Sequence, residues 1–127
     1  MRVLYLNKYV EIIKGNVVLA NKAKYCENFL PRAKGLMFSR PLKQGSGVVL
    51  VSPKEGILET TIHMLFVFFP LDIVWLNKDK EIVDMQRKVK PFTFVAPKKA
   101  AKYVLELPCG VCENLKLGDK VVMEFTK

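Results

Sequence analysis

The chain has 127 residues, half of them hydrophobic and 26% charged, enough for one folded core and too apolar for wholesale disorder. Lys and Arg total 21 against 12 for Asp and Glu, a formal net charge of +9 that favours acidic partners and says nothing of fold. The longest uncharged stretch, Thr60 to Leu71, is 12 residues, too short for a membrane span of roughly 20, and three cysteines are too few, and odd in number, for a secreted disulfide scaffold.

The opening residues, Met1 to Lys8, contain no apolar run of signal-peptide length. The expectation is a single cytoplasmic domain over residues 1–127 with no membrane association. Tyr9–Ile13 and Val17–Ala20 flank Lys14-Gly15-Asn16, a hairpin whose turn needs positive φ at Gly15 or Asn16. Asn28 can N-cap a short helix, with Pro31 in its first turn and Gly35 just past its end. Val48–Val51 is a β-branched run between Gly47 and Ser52-Pro53. Leu71–Leu76 and Glu81–Gln86 bracket the polar loop Asn77-Lys78-Asp79-Lys80, and the apolar run Ile62–Trp75 is assigned to the central core, broken at Pro70. Tyr103–Leu107 alternates around Glu106, Gly110–Leu117 is a second short helix candidate closed by Gly118, and Lys120–Phe125 is the last strand. The scattered glycines and prolines punctuate short runs. They predict a mostly β fold: a small antiparallel β-barrel or two-sheet sandwich with one or two short helices.

Chemistry-bearing residues are few. Cys109-Gly110-Val111-Cys112 has the C-x-x-C spacing of redox and metal sites, but no βαβ unit surrounds it, and only Cys26 and His63 remain as further ligands. No metal or cofactor is expected, and the pair is read as structural or incidental. His63, the single histidine, is read as the hydrogen-bonded end of a buried strand, with a general-base role as the alternative. Asp72 lies in apolar company, so its carboxylate is either turned outward or paired inside. Together they raise the alternative of a hydrolase-like enzyme using Asp72 and His63. Arg87-Lys88-Val89-Lys90 leads into Pro91-Phe92-Thr93-Phe94 and on to Lys98, Lys99 and Lys102. Such a segment can bind single-stranded nucleic acid by stacking on Phe92 and Phe94, although a solvated lysine surface is the favoured reading.

Arg32-Ala33-Lys34-Gly35-Leu36-Met37-Phe38-Ser39-Arg40 resembles the Arg-x-x-Gly-Leu-Met-x-x-Arg signature of the family known as domain of unknown function 192. The resemblance continues through Gly47-Val48-Val49-Leu50, Met64, Pro70-Leu71-Asp72-Ile73, Leu105-Glu106-Leu107-Pro108 with Gly110, and Gly118-Asp119 with Val121, roughly residues 17 to 125. It implies a compact β-rich fold and implies no activity. Many members carry Trp-Met-Lys-Asn-Thr ahead of Pro-Leu-Asp. Here His63 and Met64 take the first two places, and Leu65-Phe66-Val67 replaces the polar trio. Arg32 and Arg40 flank a Gly-Leu-Met turn, where two guanidinium groups suit a carboxylate or phosphate. Equally, both can cap local carbonyls while Leu36 and Met37 are core. The leading expectation is a binding domain for an anionic small molecule or partner, with Arg32, Gly35, Met37, Arg40, His63, Met64 and Asp72 as the ligand-binding set.

Overall fold

The computed structural model describes residues 8–27, 41–64 and 67–126. Nine strands are found there: β1 (Lys8–Lys14), β2 (Val17–Cys26), β3 (Ser46–Gly56), β4 (Ile62–His63), β5 (Leu71–Leu76), β6 (Ile82–Val89), β7 (Phe94–Val95), β8 (Ala101–Leu107) and β9 (Val122–Phe125). Seven form one sheet in the order β6-β5-β8-β3-β2-β1-β9, and β4 pairs with β7 in a second, two-stranded sheet. The large sheet is mixed, because β2 and β3 run parallel while its other neighbours are antiparallel. A parallel pair cannot be joined by a tight hairpin, and Cys26 and Ser46 are accordingly far apart in sequence.

The expected mostly β fold is found, in two sheets, but its purely antiparallel pairing is corrected by the parallel β2–β3 pair. The sheet is not a closed barrel, although its two edges approach each other at one corner. There Glu81 and Lys120 form an isolated bridge, and the Ile82 and Val121 amides donate to the Asp119 and Lys80 carbonyls. The helices are also corrected. Gly110–Leu117 is a succession of turns whose amides bond three residues back, Val111 to Pro108, Glu113 to Gly110 and Leu115 to Cys112. Among the described residues the only helical element is the 3-10 turn Leu58–Thr60. The helix expected after Asn28 lies outside the described residues.

The hairpins fall where the turn chemistry puts them. Gly15 adopts φ +61° between β1 and β2. Between β5 and β6, the Asn77 side-chain oxygen accepts from the Asp79 and Glu81 amides, organising the loop. Strand β5 is buried from end to end because both its faces are covered. Leu71, Ile73 and Trp75 point to one core cluster with Val48, Leu50, Ile62 and Met64. Val74 and Leu76 point to the other, with Val49, Leu105, Leu107 and Cys112. Trp75 is fully buried and its indole N–H donates to the Thr60 carbonyl at 2.7 Å, so the largest core side chain leaves no polar group unsatisfied.

Candidate functional site

Of the predicted ligand-binding set, Asp72 borders a cleft. Its carboxylate is fully buried on the Cys112 side of β5. Oδ1 accepts from the Lys88 amide at 2.9 Å, and Oδ2 accepts from the Gly110 amide at 2.8 Å, the Cys112 amide at 3.4 Å and the Cys112 thiol at 3.1 Å. A buried charge is tolerable on such terms, because hydrogen bonds replace the lost water. Asp72 therefore ties β6 to the 109–112 turn across the end of β5.

The arrangement begins with a bulge. Leu71 opposes Val89 on β6 but Ile73 opposes Gln86, so Asp72 faces both Arg87 and Lys88. One extra residue on β6 bends the strand and re-aims its side chains. Lys88 takes up the bend at φ +51°, a left-handed conformation that costs a lysine on the order of 1 kcal/mol. That rotation delivers the Lys88 amide to Asp72. On the opposite wall Gly110 sits at φ +96°, and its amide meets the same carboxylate.

Between these walls lies a cleft of about 460 Å³ lined by Asp72, Arg87, Lys88, Cys109, Gly110 and Glu113. The Arg87 guanidinium spans it and donates to the Glu113 carbonyl at 2.8 Å. Cys109 is half-buried at the lining, and its thiol pKa is raised by burial and by the Asp72 charge, with Lys88 opposing. Burial and the hydrogen bond to Asp72 push the Cys112 thiol up to about 12. Both sulfurs are thus held as thiols at neutral pH, a poor state for a nucleophile or a metal ligand. Among the described residues no cluster of three or more His, Cys, Asp or Glu is placed to hold a metal ion.

The other predicted residues are scattered. Arg32, Gly35, Met37 and Arg40 lie outside the described residues. Met64 is fully buried in the second core cluster, its amide bonded to the Thr93 carbonyl at 2.6 Å. His63 pairs with Phe94 in the small sheet, and its buried Nδ1 has no hydrogen-bond partner, unlike the satisfied histidine expected. Its neighbours Ile62 and Met64 belong to the second cluster, whereas Asp72 bonds into the first. The structure does not bring Asp72 and His63 together.

In the sequence Arg87 and Lys88 stand out only as part of a basic run, because a bulge has no reliable sequence signature. Alternation makes Glu106 the polar position of its strand. Instead it is 4% exposed, flanked on the neighbouring strands by its register partners Val48 and Ile73, with Oε1 unpartnered and its pKa raised by burial to about 7. Its place in the middle of a sheet covered on both faces leaves the carboxyl no solvent.

The model of the uncharacterised family DUF192 ("Uncharacterized ACR") matches residues 10–123. The chain is 37% identical over 102 residues to a UPF0127 protein of Pyrococcus abyssi, covering 79% of this chain and 84% of that one. It is 33% identical over 109 residues to a UPF0127 protein of Thermococcus sibiricus, covering 84% of this chain and 69% of the other. Among solved structures, a candidate transcription regulator from Sinorhizobium meliloti superposes with a TM-score of 0.80 at 20% identity, over 97% of this chain and 98% of that one. A protein of unknown function from Novosphingobium aromaticivorans superposes at 0.78 with 24% identity, over 90% and 83%. These likenesses show the fold alone. The family match over most of the chain, together with the shared sequence of the relatives, makes this protein a member of DUF192.

Proposed function

We propose that the chain is a small binding domain that holds an anionic group in the cleft between the β6 bulge and the 109–113 turn. The observation that carries this reading is the strained Lys88. A strand pays for a left-handed lysine only where the surroundings fix it, and here it sets Arg87 and Lys88 on the wall of a cleft of about 460 Å³. The Asp72 charge in that wall is already met by backbone and thiol donors, which leaves the Lys88 ammonium and the Arg87 donors not spent on the Glu113 carbonyl to meet a ligand. A catalytic reading has less support, since both nearby thiols stay protonated and His63 has no link to Asp72.

The test is a thermal-shift screen against adenosine monophosphate, glucose 6-phosphate and citrate, followed by titration calorimetry. At least one anion is expected to raise the melting temperature. Lys88→Gln is expected to weaken it by roughly 10-fold, the worth of one charge-assisted hydrogen bond. Arg40→Ala, run in parallel, tests the arginine-flanked motif of the sequence. If no anion stabilises the protein, or if Lys88→Gln and Arg87→Gln bind as the parent does, the reading fails.

A further inference from the structure

A different surface carries an independent inference. Residues 90 to 102 hold Lys90, Lys98, Lys99 and Lys102 without a single acidic residue. Within this stretch Phe92 is 53% and Phe94 66% exposed. Single exposed apolar residues are ordinary, but these two are held in place. Phe92 has φ +62°, a conformation that bulky residues almost never adopt. Its amide is fixed to the Met64 carbonyl at 2.8 Å, and the Thr93 hydroxyl closes the same turn onto the Lys90 carbonyl at 2.7 Å. The Phe92 ring meets the exposed Phe68 ring edge-on, centroids 5.5 Å apart, which widens the aromatic surface without burying it. Phe94 is paired with His63 across the small sheet, their ring centroids 6.2 Å apart, while its neighbour Val95 packs inward on the core.

Strain that presents an aromatic ring to water is not explained by core packing, since the ring stays half in solvent. We infer that the Phe92–Phe94 turn is a stacking platform for single-stranded nucleic acid, with Lys90, Lys98 and Lys99 taking the phosphates. The charge decides between occupants. A protein partner would need an acidic face to match this one, while every nucleic-acid strand carries a regular row of anions and a π-face per base. Bases in a duplex are stacked on each other and cannot reach the rings, so the platform selects single strands.

The experiment is fluorescence anisotropy of the full chain with a labelled 12-mer of deoxythymidine in about 50 mM salt, repeated with a duplex and with inorganic polyphosphate as competitors. The inference expects binding that weakens steeply with salt and is displaced poorly by duplex and by polyphosphate. A Phe92→Leu, Phe94→Leu double variant keeps the apolar bulk and removes the rings. It is expected to lose roughly 30-fold in affinity at unchanged melting temperature, from about 1–3 kcal/mol per stacked base. Substituting Gln at Lys90, Lys98 and Lys99 should flatten the log–log salt slope by about 0.7 for each phosphate left without its lysine. No binding at low salt overturns the inference. So does binding that the leucine variant leaves intact, or equal competition by polyphosphate, which would reduce the surface to charge alone. Lys88→Gln, which tests the cleft, leaves this platform in place and keeps the two outcomes separate.

Discussion

Replacing Glu106 with Gln should stabilise this protein in neutral and alkaline solution. Burial moves the Glu106 pKa from the ordinary 4.5 to about 7, and no partner compensates at Oε1. At 1.36 kcal/mol per pH unit, keeping that carboxyl charged in the fold costs about 3 kcal/mol. The sign follows from proton counting. Between pH 4.5 and pH 7 the folded chain binds the proton that the unfolded chain has released, so stability falls as pH rises through that window. Below 4.5 both states are protonated and the penalty is absent. Above 7 it is complete and constant. Glu106→Gln removes the charge but carries an amide that is itself short of partners, so the expected gain at pH 8 is about 2 kcal/mol rather than the whole amount. In a domain of this size that raises the melting temperature by several degrees, on the order of 5–10 °C. The assay is urea denaturation of parent and variant at pH 5 and pH 8. The stability difference should grow by about 2 kcal/mol from the lower to the higher pH. Parallel behaviour at both pH values would instead place the carboxyl beside a compensating group.

Asp72→Asn should cost about 3 kcal/mol in the same assay, because the amide cannot accept as the carboxylate does from the Lys88 and Gly110 amides, and a loss under 1 kcal/mol would show that the clamp is incidental. Gly110→Ala meets no atom within 4 Å but must adopt φ +96°, so it is expected to destabilise by about 1 kcal/mol through backbone strain alone, measured as a shift in denaturation midpoint. Alkylation at pH 8 followed by mass spectrometry should find Cys112 unmodified until the protein unfolds, since its thiol is buried and its pKa stands at about 12; labelling of Cys112 at the rate of Cys109 would contradict its hydrogen bond to Asp72.

Local chemistry is legible where a single residue type forces the backbone. Gly15 and the Asn77 loop mark both hairpins, and Pro70 marks the break before β5. The run Leu71–Leu76, apolar except for Asp72, signals a strand covered on both faces. What resists reading is what depends on distant pairing. The parallel register of β2 on β3, which rules out a simple antiparallel barrel, is set across a long connection rather than by neighbouring residues. Gly110–Leu117 carries helical punctuation, yet its amides bond three residues back and the segment remains a chain of turns. Glu106 shows the same limit. Alternation predicts an exposed carboxyl only if one face of the strand is wet, and here neither is. Of the candidate site, Asp72 stands out by its apolar surroundings. The bulge that brings Arg87 and Lys88 opposite it depends on β6 pairing with β5, and no residue in either strand announces it.

Whether the cleft beside Asp72 takes an anion is tested most directly by an amide chemical-shift titration of the labelled protein with adenosine monophosphate, glucose 6-phosphate and citrate. Saturable shifts confined to Arg87, Lys88 and residues 109–113, and suppressed in Lys88→Gln, are the predicted result. No saturable shift with any of the three would contradict the account. Shifts centred instead on the second lysine-rich cleft, around Lys78, Lys80 and Lys120, would contradict it as well.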